Sequence, residues 1–250
     1  MMEGEPIMLA DVAGSEKIPT VVLIHGSWLG GWSWREVHKQ LGSQGYRVLA
    51  PTLTGLGERK HLLTGNINLS LHIEDIVNLI LFENITNVVL VGHSYGAMVA
   101  AGAADRLFGR VDCALVIVDG FITGSGESVM DRYPDVHSLM QHFLSPDHTM
   151  VEPPPVETFG LTDTELADTI SPFLTKMPLA THTEQLHYSV ENQAQISRSY
   201  IYCTEFPLFH QTALEAAEQG WRRYNIKAGH LAPITHPKQI SDLVIMTMSC

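Results

Sequence analysis

The segment VVLVGHSYGAMVAAGAA, residues 88–104, sets a serine inside Gly92-His93-Ser94-Tyr95-Gly96. An apolar run precedes it and a stretch rich in alanine and glycine follows, which predicts that Ser94 sits at a strand-to-helix turn. A serine there is forced into a strained backbone conformation with its hydroxyl exposed, and the nearby glycines leave space that any side chain would fill. The following helix start aims free N–H groups and the positive end of its dipole at developing negative charge. These are the requirements of a nucleophile in acyl transfer.

A second glycine-rich segment, His25-Gly26-Ser27-Trp28 followed by Gly30-Gly31-Trp32, comes directly after TVVLI at 20–24. Such a turn at a strand end commonly donates the second N–H of an oxyanion hole. The expected donors are the backbone amides of Ser27 and Tyr95, with His25 shaping the loop. A serine hydroxyl is barely nucleophilic at neutral pH and needs a base. Thirteen histidines compete, and position selects His230, in Gly229-His230-Leu231, on the loop after the last strand. His236, before Pro237, is second, with a packing or capping role. The acid that accepts the Nδ1–H of the base is either Asp119, ending CALVIV, or Glu205, ending SYIYCT. Asp119 is preferred because a charge capping so apolar a strand calls for a partner.

Short runs of Val, Ile and Leu alternating with amphipathic stretches must position these groups, a pattern of parallel strands covered by helices on both faces. Strands are predicted over Thr20–Ile24, Tyr46–Ala50, Asn87–Val91, Asp112–Val118, Ser199–Thr204 and Trp221–Ile226. Helices are predicted over Trp32–Ser43, Leu71–Phe82 with Ser70 as N-cap, Tyr95–Leu107, Leu208–Gln219 and Lys238–Met248. Between about Phe121 and Ser197 no clear strand is expected, and prolines punctuate short helical pieces. The expectation is one α/β domain, built from 1–120 and 198–250, with a helical cap inserted over 121–197.

HGSWLGGWSW, APTLTGLGERKHL, VVLVGHSYGAMV, LVIVDGF, MPLATHTEQL and YIYCTEF…AGH together resemble the α/β-hydrolases. More narrowly they resemble the small branch of methylesterases, hydroxynitrile lyases and bacterial carboxylesterases. The resemblance covers most of 20–240 and implies the α/β-hydrolase fold, a mostly parallel sheet of about six strands with helices on both faces. It also implies a Ser-His-Asp triad, no metal, no organic cofactor, and a cap that forms the acyl and alcohol pockets. Two departures are informative. Plant members place an aspartate where this chain has Phe206, which favours Asp119 as the acid. Hydroxynitrile lyases carry a lysine where this chain has Leu231, which favours hydrolysis over cyanohydrin cleavage.

Fifteen Lys+Arg against 27 Asp+Glu, a net charge of −12, argue against nucleic acid and anionic membranes as partners. No apolar run reaches the roughly 18–20 residues of a membrane span. The acidic N-terminus does not read as a secretory signal, and Cys113, Cys203 and Cys250 show no metal or disulfide spacing. A reduced, cytoplasmic protein is expected, its oligomeric state open and a homodimer compatible with the sequence. Trp28, Phe121, Leu179 and Leu231 are substrate-binding candidates, as are Phe143, Phe159, Phe173 and Leu186 of the cap. Arg59 and Lys60 are read as solvated. His137, His142, His148, His182 and His187 are read as surface or hydrogen-bonding residues, since their spacing is not that of metal ligands. The expected partner is a small-molecule substrate, an uncharged and moderately hydrophobic ester cleaved through an acyl-enzyme on Ser94. The same residues would also serve amide, carbamate or thioester hydrolysis or a cyclase. A non-catalytic protein binding a small molecule on a hydrolase scaffold is a third reading.

Overall fold

The computed structural model describes residues 18–248; the acidic N-terminal segment and Cys250 lie outside them. Strand β1, Thr20–Ile24, is wholly buried, as a central strand of Val, Leu and Ile must be. A tight turn over Gly31–Trp34 leads into helix α1, Arg35–Ser43. Strand β2 is only Val48–Leu49 at the sheet edge, and helix α2 runs Leu69–Phe82. Strand β3, Asn87–His93, is longer than predicted, carrying Gly92 and His93 to within one residue of Ser94. Helix α3 follows over Gly96–Leu107 and strand β4 over Asp112–Val118.

The stretch after β4 holds short elements: α4 at Val129–Arg132, α5 at Pro134–His142, β5 at Met150–Val151 and α6 at Thr164–Ile170. Then come β6 at Met177–Pro178, α7 at Ala180–Thr183 and α8 at Val190–Gln195. The antiparallel pair β5–β6 corrects the expectation of no strand there. Two residues on each side are too few for an alternating pattern to register in sequence. The chain then returns with β7, Ser197–Cys203, α9, His210–Glu218, and β8, Arg222–Ile226. It ends with α10, Ala232–Thr235, and α11, Pro237–Met248.

The main sheet is six-stranded and parallel, in the order β2-β1-β3-β4-β7-β8. Apolar side chains of α2, α3 and α9 fill one face, and those of α1 and α11 the other. This is the expected fold. Two glycines make its centre feasible. A Cβ on Gly92 would stand 2.4 Å from Gly96 O, and one on Gly96 would stand 2.4 Å from Ile24 O, both far inside contact distance. Helix α3 can therefore press its first turn against β1 and β3. Among the described residues no helix is long and apolar enough to cross a membrane.

The start of α2 differs from prediction. Asn68, not Ser70, caps it, with its Oδ1 accepting from Leu71 N at 3.0 Å. Ser70 instead donates from N and Oγ to the Glu184 carboxylate, at 2.8 and 2.7 Å. That tertiary bond, invisible in local sequence, ties α2 to the segment after α7.

Candidate active site

The C-terminal ends of β1, β3, β4 and the turn after β8 converge. Ser94 takes φ 54°, Asp119 φ 44° and Trp28 φ 61°. Left-handed backbone at a non-glycine residue costs about 1–3 kcal/mol and persists only where neighbours over-determine it. At Ser94 the amide donates to Val118 O at 3.2 Å, and its carbonyl accepts from Ala97 and Phe121 N at 3.1 and 3.3 Å. The loop after β1 passes so close that a Cβ on Gly26 would lie 2.8 Å from Ser94 Cβ. The Ser27 and Tyr95 amides, which flank this approach, donate to no backbone carbonyl among the described residues.

Asp119 is fully buried. Its amide donates to Ile201 O at 2.8 Å, Oδ1 accepts from Cys203 N at 3.1 Å, and Oδ2 accepts from His230 Nδ1 at 2.7 Å. Burial pushes the Asp119 carboxyl up, while the Cys203 amide pulls the other way by stabilising the carboxylate. Burial also lowers His230 below the ordinary imidazole range, so the neutral ring is favoured. With its proton on Nδ1 and committed to Asp119, the ring presents a bare Nε2. The loop carrying it is held from two sides: His93 Nε2 donates to His230 O at 2.9 Å, and His230 N donates to Phe159 O at 3.1 Å. A Cβ on Gly229 would lie 2.9 Å from Gly160 O, so this second contact needs glycine. Phe206 and Phe209 stack on the His230 ring at 4.6 and 5.5 Å.

Glu205, the other candidate acid, is solvent-exposed, 3.9 Å from Lys227 Nζ and not bonded to His230. His236 lies beside Thr235 Oγ1 at 2.8 Å. His25 is a spacer, its Nδ1–H donating to Gly26 O and its Nε2 accepting from Leu53 N, and burial lowers its pKa to about 3. Arg59 donates to Thr52 O and stands 3.9 Å from Asp75, so it braces its own loop.

Ser94 and His230 share two small apolar clefts. One is walled by Trp28, Leu29, Val156, Phe159, Leu174 and Leu231. The other is walled by Trp28, Phe121, Met140, Phe159, Phe206 and Phe209, with about 50 Å³ of free space. That is room for little more than water. The Ser94 hydroxyl makes no hydrogen bond to His230 in this closed arrangement, a contact that commonly tightens only with substrate bound. Trp28, Phe121 and Leu231 line these clefts. Leu179 does not: it is half-buried beside β6, its amide donating to Thr149 O. Phe173 is exposed and packs on Trp32. Leu186 lines a separate, roomier cavity of about 320 Å³ between α3 and Trp221, which has neither Ser94 nor His230 in its walls.

Sequence reasoning missed His182, Phe206 and Phe209. His137, His142, His148 and His187 are exposed, but His182 is buried, with Nε2 3.0 Å from Ser27 Oγ and its ring stacked on Tyr95 at 4.8 Å. It differs from the other four in lying within MPLATHTEQL, but its sequence context gave it no separate role. Among the described residues no cluster of His, Cys, Asp or Glu is placed to hold a metal ion. Such an arrangement of serine, neutral histidine, buried carboxylate and free amides can carry out acyl transfer.

A family model described as "Alpha/beta hydrolase family" matches residues 21–243. A "Carbendazim hydrolyzing esterase" of Nocardioides sp. is 31% identical over 234 residues, covering 88% of this chain and 96% of that protein. "Methylesterase 2" of Arabidopsis thaliana is 25% identical over 259 aligned residues, 88% of this chain and 92% of that one. A solved structure superposes with a TM-score of 0.80 at 25% identity, covering 92% of this chain and 98% of the other. It is an extracellular alpha/beta-hydrolase from a Paenibacillus species, described as sharing structural and functional homology with tobacco Salicylic Acid Binding Protein 2.

Proposed function

This chain belongs to the alpha/beta hydrolase family, and from that premise we propose that it is a serine carboxylesterase acting on small, uncharged esters. The observation that carries the proposal is the convergence at one cleft of Ser94, in its strained turn, and His230, bonded through Nδ1 to buried Asp119. The esterase names borne by its relatives support ester hydrolysis.

Ser94 Oγ attacks the ester carbonyl as His230 Nε2 takes its proton. Asp119, already hydrogen-bonded to Nδ1, holds the tautomer and stabilises the imidazolium. The oxyanion forms between the Ser27 and Tyr95 amides, which need no reorganisation to receive it. The alcohol leaves with the proton from His230. Water then repeats the sequence on the acyl-enzyme and frees Ser94. The walls of Trp28, Phe121, Leu231 and the phenylalanines 159, 206 and 209 bring no formal charge, which suits a neutral ester. Replacement Ser94→Ala is expected to abolish ester turnover, by at least about 10³-fold, in a chain with an unchanged melting temperature; turnover near wild type would refute the proposal.

A further inference from the structure

The Ser27 hydroxyl ends a hydrogen-bond chain that runs in one direction. At its far end Pro178 offers a carbonyl, so Thr181 Oγ1, 2.6 Å away, must donate to it. With its proton committed there, Thr181 Oγ1 can only accept, and it does so from His182 Nδ1 at 2.8 Å. His182 is 1% exposed, and burial pushes its pKa down to about 3, so its ring carries one proton, on Nδ1. Nε2 is therefore a bare acceptor, and Ser27 Oγ, 3.0 Å away, donates to it. The ring is held in place by its stack on Tyr95, whose hydroxyl donates to His72 Nδ1 at 3.0 Å, while His72 Nε2–H donates to Thr54 O at 2.9 Å.

Ser27 Oγ thus has no proton left to give. The residue lines both clefts, and its oxygen can offer a ligand lone pairs alone. A lone pair beside a forming oxyanion is unfavourable unless a substrate donor meets it. We infer that Ser27 Oγ accepts a hydrogen bond from a hydroxyl on the carbon next to the reacting carbonyl, so that this site selects esters of α-hydroxy acids. The inference rests on the esterase reading above. Its geometry is a match of spacings. The amide nitrogen and Oγ of a serine are joined through Cα and Cβ. The carbonyl and hydroxyl oxygens of an α-hydroxy ester are joined through the carbonyl carbon and Cα, an equal number of bonds. The Ser27 N–H donates to the one while Ser27 Oγ accepts from the other. A β-hydroxy acid is one bond too long for this pairing.

Three ethyl esters test this: 2-hydroxypropanoate, 2-methylpropanoate, which replaces the hydroxyl by a methyl of similar size, and 2-methoxypropanoate, which keeps the electron-withdrawing oxygen but loses the proton. The intact protein is expected to prefer the better 2-hydroxypropanoate enantiomer over both others by about 10-fold or more in kcat/KM. Whatever their effect on absolute rates, Ser27→Ala and His182→Leu, each checked for a cooperative melt, are expected to bring those ratios close to one. Ratios near one in the intact protein, or ratios unchanged in Ser27→Ala, would overturn the inference while leaving the esterase reading intact. So would failure to turn over any of the three by a protein whose Ser94 reacts with a fluorophosphonate. Absence of that reaction would overturn the esterase reading, and the inference with it.

Discussion

His230 Nδ1 lies 2.7 Å from Asp119 Oδ2, across 111 positions of chain, in a pocket where the carboxylate is fully buried. The only other donor to that carboxylate among the described residues is the Cys203 amide on the neighbouring strand. Replacing Asp119 by Asn keeps the shape but leaves an amide that can force the wrong histidine tautomer. A fall in kcat of about 10³–10⁴ is expected. Glu205→Gln removes an exposed carboxylate 3.9 Å from Lys227 and should leave kcat within about two-fold. Steady-state kinetics on one simple ester decides; the reverse pattern would assign the acid to Glu205.

Gly26 approaches Ser94 more closely than any side chain permits, since a Cβ added there would fall 2.8 Å from Ser94 Cβ and 3.1 Å from His93 Nδ1. Gly26→Ala must push the loop after β1 away from the turn, at about 1–3 kcal/mol of overpacking. It should lower kcat by about 10-fold or more, because the Ser27 amide moves with the loop. Gly42→Ala, in α1 with open space around it, should instead keep activity and raise the melting temperature slightly. Equal effects of the two would show that glycine at 26 is needed for no steric reason.

Five histidines, His25, His72, His93, His182 and His230, are buried with their pKa values lowered by desolvation. In the unfolded chain each takes up a proton as pH falls through about 6.5, while the folded protein resists. Stability is therefore present above that value and lost below it, by about 1.4 kcal/mol per pH unit for each proton of difference. Asp119, held up by burial, acts in the opposite sense. Melting temperatures measured from pH 8 down to pH 5 should fall, with the slope steepening below about pH 6.5. A flat profile would contradict the buried neutral histidines.

Phe206 stacks on the His230 ring at 4.6 Å and helps keep water from it. Since desolvation lowers the His230 pKa, the base form persists into acid, and the acid limb of kcat/KM should lie below 6.5. Phe206→Ala admits water and should move that limb upward. A limb that stays in place would mean that Phe206 packs without tuning the base.

Local sequence carried the elements whose patterns are local. The buried strands read from runs such as TVVLI and NVVLV, and the turn at Ser94 from its glycines, because both depend on residues a few positions apart. Asp119 could be favoured over Glu205 from the apolar strand it ends, a burial argument, but its bond to His230 depends on β4 and the loop after β8 meeting in space. What could not be read were the contacts made by the segment after β4. His182 is one histidine among several there, and only the fold brings it onto Ser27. Leu179 stands away from these clefts for the same reason, since its neighbours are set by the two-residue strands β5 and β6. Ser70 shows the limit of capping rules: a serine at a helix start took a distant glutamate over its own backbone.

The central claim is that Ser94, His230 and the two amides act together on an acyl group. A fluorophosphonate reports on this directly, because it modifies a serine rapidly only where base and oxyanion donors cooperate. The protein should take up a single adduct, located at Ser94 by mass spectrometry, and His230→Ala should abolish it. A folded protein that takes up no adduct, or one that takes it up elsewhere, would contradict the account.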